Sequence, residues 1–151
     1  MFPIAEVVYQ KPVYLLPLAN LDKYPTVSNF SCFIAREEDT TISSEAIHHL
    51  ADGLLAQGLK FVVAWGADCT LMECVLDEAI IEWEKKHGET DSVIVTTSHP
   101  RETLPEALEF LFNSGLADES AAVLVIYDGP PATFERLDGL LKKLAVDATT
   151  D

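Results

Sequence analysis

Residues 61–70 read FVVAWGADCT. Phe61, Val62, Val63, Ala64 and Trp65 form an apolar run with no polar interruption. It is too short for a buried helix and rich in β-branched and aromatic residues, so it is a buried strand. Gly66 punctuates it, and an acid, a thiol and a hydroxyl follow. From Thr70 the period changes. Thr70 and Glu73 have capping-box spacing, Met72, Leu76, Ala79, Ile80 and Trp83 share one helical face, and Gly88 supplies a stop. A buried strand that turns directly into an amphipathic helix is half of a βαβ unit. That junction decides the fold class.

The same alternation extends outward from it. Upstream, a helix starts at Ser43, with Ile42 and Ile47 placed as a hydrophobic staple. Ile47, Leu50, Leu54 and Leu55 make its stripe, and Gly58 follows as its C′ residue. Before it stand two short strands, residues 13–16, closed by Pro17, and 30–35, ended by the charged cluster 36–39. Residues 20–29 form the loop between them. Downstream, residues 93–96 make a strand. A helix then opens on a Thr103–Glu106 capping box with Pro105 in its first turn, carries Leu104, Leu108, Leu111 and Phe112, and stops at Gly115. Residues 123–127 make the last strand. Asp128, Gly129, Pro130 and Pro131 turn the chain into a final helix bearing Phe134, Leu137, Leu141 and Leu144.

The order β-β-α-β-α-β-α-β-α implies an α/β protein. Its expected form is a three-layer, Rossmann-like sandwich, with a mostly parallel five-stranded sheet and helices on both faces. The first strand is expected at an edge, its direction open. Residues 1–151 are expected to form one domain, with 1–12 and 146–151 peripheral or flexible.

Composition narrows the function classes. The net charge is −15, with 10 basic and 25 acidic residues. Nucleic-acid binding needs a basic footprint, and anionic membranes repel such a field, so neither is an expected partner. The charge is concentrated. Residues 61–120 hold 13 acidic and 3 basic residues, a net of −10. No apolar run reaches the ~20 residues of a membrane span. The N-terminus carries Glu6 and no basic leader, so a signal peptide is not expected. The three cysteines, Cys32, Cys69 and Cys74, are odd in number and have no CxxC spacing. They suit reduced thiols and a cytoplasmic protein.

In parallel sheets ligands gather beyond the C-terminal strand ends. Arg36, Glu37, Asp68, Cys69, Ser98, His99 and Asp128 stand there. Cys69 at a helix start, His99 as its base and Asp128 as orienter could form a nucleophilic triad, provided their strands are neighbours. The bland alternative makes Asp68 a helix-start acceptor, Cys69 a small buried residue and His99 a turn residue held extended by Pro100. His48 and His49 are adjacent and point to different sides, so no metal is expected. Neither GxGxxG nor GxxxxGK[ST] occurs, and no cofactor is expected. Glu73, Asp77 and Glu84 form one stripe beside the apolar face of the second helix. Glu106 and Glu109 add acids on the third. Together they are the expected partner-binding residues.

The segments WGADC and TTSHPRETLPEALEFL are similar to a small, poorly characterised bacterial α/β family. Its pattern is WG-x-DC, then TT-x-H-x-x-E-x-L-x-E-x-L-x-F. Trp65, Gly66, Asp68, Cys69, Thr96, Thr97, His99, Glu102, Leu104, Glu106, Leu108 and Phe110 carry it here. The family usually has a larger, often aromatic residue where Ser98 stands. The resemblance implies the α/β fold and no established activity. As a class, a small acidic α/β protein also resembles immunity proteins of bacterial toxin systems. That similarity implies a non-enzymatic inhibitor of a basic toxin domain. The alternatives are a small cysteine-dependent hydrolase or transferase using Cys69 and His99, or a structural or regulatory subunit.

Overall fold

A computed structural model describes residues 4–18, 29–37, 42–88, 94–114 and 120–149. The strands are β1 (Glu6–Val8), β2 (Lys11–Pro17), β3 (Phe30–Arg36), β4 (Leu59–Gly66), β5 (Val95–His99) and β6 (Ala122–Asp128). The helices are α1 (Ser44–Ala56), α2 (Cys69–His87), α3 (Leu104–Asn113) and α4 (Pro131–Thr149). The protein is α/β, with one six-stranded sheet in the order β1-β2-β6-β3-β4-β5. Every neighbouring pair is parallel except β1 with β2.

Two expectations are corrected. The sheet has six strands, not five, because Glu6–Val8 turns back at Tyr9 and Gln10, both at positive φ, and pairs with β2. Strand β2, the first that the pattern disclosed, is not at an edge. It lies between β1 and β6 and runs parallel to β6. A three-residue edge strand with Val7 exposed has too little periodicity to stand out. The expected 20–29 loop and the Gly115 stop lie outside the described residues, apart from Asn29.

Strand alternation builds two cores. Cys32, Ile34, Val62, Ala64, Leu124 and Ile126 point to one face and meet the α1 residues Ile47, Leu50, Leu54 and Leu55 and the α2 residues Met72, Leu76, Ala79 and Ile80. Phe33, Ala35, Phe61, Val63, Val123 and Val125 point to the other and meet Leu104, Leu108, Leu111 and Phe112 of α3 with Leu137 and Leu141 of α4. The helical stripes expected from spacing are the buried ones, except that Trp83 and Leu144 are only partly buried and Phe134 is exposed, its ring 5.7 Å from that of Tyr127. Each fully buried aliphatic side chain contributes about 1.5–3 kcal/mol.

Helix starts follow local chemistry in two cases. The Ser43 hydroxyl accepts from the Ala46 amide, and Thr103 and Glu106 form a full capping box. The expected Thr70–Glu73 box on α2 is absent. That helix begins two residues earlier than such a box would set, at Cys69, with Asp68 at its N-cap in a left-handed conformation and no side-chain cap bond. Each side chain has a competing partner. Asp68 faces Arg36, and Glu73 accepts from Ser98.

Candidate functional site

The chain leaves β3 for α1 on one face of the sheet and leaves β6 for α4 on the other. β3 and β6 are adjacent, so their C-terminal ends flank a topological switch point. Arg36 fills that place. It is 2% exposed, with Nε 3.2 Å from Asp128 Oδ2 and Nη1 3.7 Å from Asp68 Oδ2. Nη1 also donates to the Ala67 carbonyl at 3.3 Å. A buried guanidinium needs such partners, because an uncompensated charge there is expensive.

The backbone holds this cluster closely. The Ala67 amide donates to the Arg36 carbonyl at 2.7 Å, and the Glu37 amide to the Asp128 carbonyl at 2.8 Å. Gly66 has φ +96°, and a Cβ there would lie 2.0 Å from the Arg36 carbonyl oxygen. Only glycine meets both conditions. Beside the cluster, Gly129 lies between Glu37 and Thr133, and Glu37 pairs with Arg136 at 2.7 Å. The Thr133 hydroxyl is buried without a hydrogen-bond partner among the described residues.

The three residues of the nucleophilic arrangement do not meet. Asp128, on β6, is separated from β4 by β3 and bonds Arg36. Cys69 is buried in the core under α1 and α2. The His99 ring is on the opposite side, 4.6 Å from that of Phe110. Its Nε2 lies 3.0 Å from the Thr97 hydroxyl and its Nδ1 3.4 Å from Glu102 Oε1. Both ring nitrogens are thus engaged away from any thiol. Cys32 is fully buried, and burial pushes its thiol pKa up. Cys74 is the exposed thiol. No group of three or more His, Cys, Asp or Glu side chains is placed to hold a metal ion among the described residues. Nor is any described helix long and apolar enough to cross a membrane.

The acidic residues are placed more informatively. Glu73 Oε1 accepts from the Ser98 hydroxyl at 3.1 Å, and Asp77 accepts from Thr96. Both acids therefore lie against β5, with Glu84 two turns further along α2. Glu106 is held by the Thr103 amide and hydroxyl, which lower its pKa. Glu109 is exposed on α3. These residues do not form one patch on one face. Helices α2 and α3 belong to opposite cores, and β5, at the end of the sheet, runs between them.

With this geometry in place, the family model described as Domain of unknown function (DUF7684) matches residues 12–143. The chain belongs to that family. The family is uncharacterised, so membership assigns no chemistry. No curated protein matches the sequence. The matched span begins inside β2 and ends inside α4. It contains the Arg36 cluster and both acidic helices, but not β1.

Spacing did not disclose the buried role of Arg36. One signal was available. A lone cation that directly ends an apolar strand, with acids just past two other strand ends, is the composition of a buried charge cluster at a switch point.

Proposed function

We propose that the chain is a non-enzymatic protein-binding inhibitor of the immunity type, which neutralises a basic bacterial toxin domain in the cytoplasm by covering its active or substrate-binding surface. The two-sided core fits the Rossmann-like sandwich expected from the sequence, and such a scaffold holds its helices rigidly. The observation that carries the proposal is the distribution of carboxylates about β5. Glu73 and Asp77 flank it from α2, while Glu102 reaches His99 from the other face. Glu84 and Glu109 extend the two flanks. In a chain of net charge −15 this surface steers a cationic partner, and complementary charge raises the encounter rate more than the final affinity.

Two measurements test this. Co-expression with a basic toxin domain encoded beside this chain should restore growth, and failure to restore it with any such neighbour counts against the proposal. For a toxin that binds, Asp77→Lys, Glu84→Lys and Glu109→Lys together should slow association in stopped flow, and salt should slow the wild type toward the same rate. An association rate indifferent to both removes the acidic flanks from the interface.

A further inference from the structure

The two ends of the sheet are built differently. β1 is three residues long. β5 is five residues, Val-Thr-Thr-Ser-His, and contains neither proline nor lysine, two devices that blunt an edge. Its ladder runs to β4, and no backbone hydrogen bond joins its outer side to another described element. An edge of this kind is a template for one more strand.

The side chains above and below the edge say what that strand must carry. On one face, Thr96 and Ser98 hold Asp77 and Glu73 beside the edge. The two acids are four residues apart on a helix, about 6 Å along its axis. Alternate residues of a strand are about 6.7 Å apart and share a face. Two cations at positions i and i+2 of an added strand would therefore meet the two acids in register. On the other face stand Glu102 and Phe110. Phe110 is 42% exposed, and its ring lies against His99. An aromatic beside a carboxylate suits the apolar stem and charged head of lysine or arginine. Arg101, just past Pro100, is the nearest basic residue in sequence.

We infer that β5 is the docking strand: an extended segment of the partner, with lysine or arginine at alternate positions, adds to its outer edge and becomes a seventh strand. This rests on the proposed basic partner and deepens it. A second copy of this chain is the wrong occupant, because pairing β5 with itself would set the same acids against one another. Main-chain bonds would supply affinity and the flanking acids specificity, the division of labour in strand addition.

The test uses the full chain, isotopically labelled, and a synthetic nonapeptide that alternates lysine with valine or threonine. Amide exchange at β5 should slow when the peptide binds at low salt, with resonance shifts centred on Val95–His99. The same peptide methylated on alternate backbone nitrogens keeps its charge and loses its ladder bonds, and should bind about tenfold more weakly. The variant Glu73→Gln with Asp77→Asn preserves the hydrogen bonds to Ser98 and Thr96. It should bind the unmethylated peptide about fivefold more weakly. A glutamate version of the peptide should not bind. Equal affinity for the methylated peptide, shifts centred away from β5, or no binding at low salt would each overturn the inference. The growth assay decides the parent proposal separately, since a basic toxin could be inhibited through another surface.

Discussion

Removing the carboxylate of Asp128 should destabilise the protein through the arginine it leaves behind. Arg36 is 2% exposed and its Nε is 3.2 Å from Asp128 Oδ2, while Asp128 itself is 31% exposed. At an effective dielectric of about 20, unit charges at that distance attract by about 5 kcal/mol, and desolvation of the guanidinium offsets about half. The Ala67 carbonyl and Asp68 still face Arg36 after Asp128→Ala, so the expected loss is about 2 kcal/mol. For a chain of this size that lowers Tm by about 4–8 °C. Replacing both residues, Arg36→Met with Asp128→Ala, removes the stranded charge and keeps the volume. The double variant should therefore be more stable than the sum of the singles by about 1–2 kcal/mol. Urea denaturation of the wild type, both singles and the double closes the cycle. A cost for Asp128→Ala below about 0.5 kcal/mol, or strict additivity, would refute the assignment of Arg36 as a buried charge that depends on its acids.

Three further outcomes follow from the same structure. Gly66→Ala should cost about 3 kcal/mol or more, or prevent folding, because φ +96° and a 2.0 Å approach to the Arg36 carbonyl penalise any Cβ; a soluble variant with unchanged Tm would contradict this. With a thiol reagent at neutral pH, Cys74 alone should react quickly, and Cys32 and Cys69 only on unfolding; a fast Cys69 slowed by His99→Ala would revive the nucleophilic arrangement. The folded-state pKa of Glu106 is lowered from 4.5 by its bonds to Thr103, so its contribution to stability is present above 4.5 and is lost as pH falls through the lowered value. Glu106→Gln should therefore flatten the acid limb of a stability-against-pH profile and leave its slope near neutrality unchanged, and an unaltered acid limb would count against the capping box.

Legibility in the sequence tracked the range of the interaction. Apolar period and caps are local. Ser43 and Thr103 therefore marked their helix starts correctly, and the α1 and α3 stripes are the buried ones. The α2 start was misread because Glu73 had a partner 25 residues away, and no local rule weighs Ser98 against a capping box. Strand order lies further still from local pattern. The insertion of β6 between β2 and β3 joins Arg36 to Asp128 and separates Asp128 from His99. Arg36, Ser98, His99 and Asp128, expected just past strand ends, lie inside their strands, and local pattern could not say which of them were neighbours. The acidic residues were legible as charge, but their division between two faces of the sheet follows from topology alone.

That strand order also constrains how the chain is made. The sheet's interior position between β2 and β3 is filled by β6, the last of the six described strands in chain order, and Asp128 lies 92 residues beyond the arginine it neutralises. At 5–20 residues per second, that interval takes roughly 5–20 s. Throughout it β3 has one flank open and its cation lacks the Asp128 carboxylate, with Asp68 and the Ala67 carbonyl already made. A nascent chain stalled before residue 122 holds both acidic helices and the β5 edge without the strand that joins the two halves of the sheet. Premature termination in this protein should therefore yield fragments cleared by proteolysis rather than shortened but working copies.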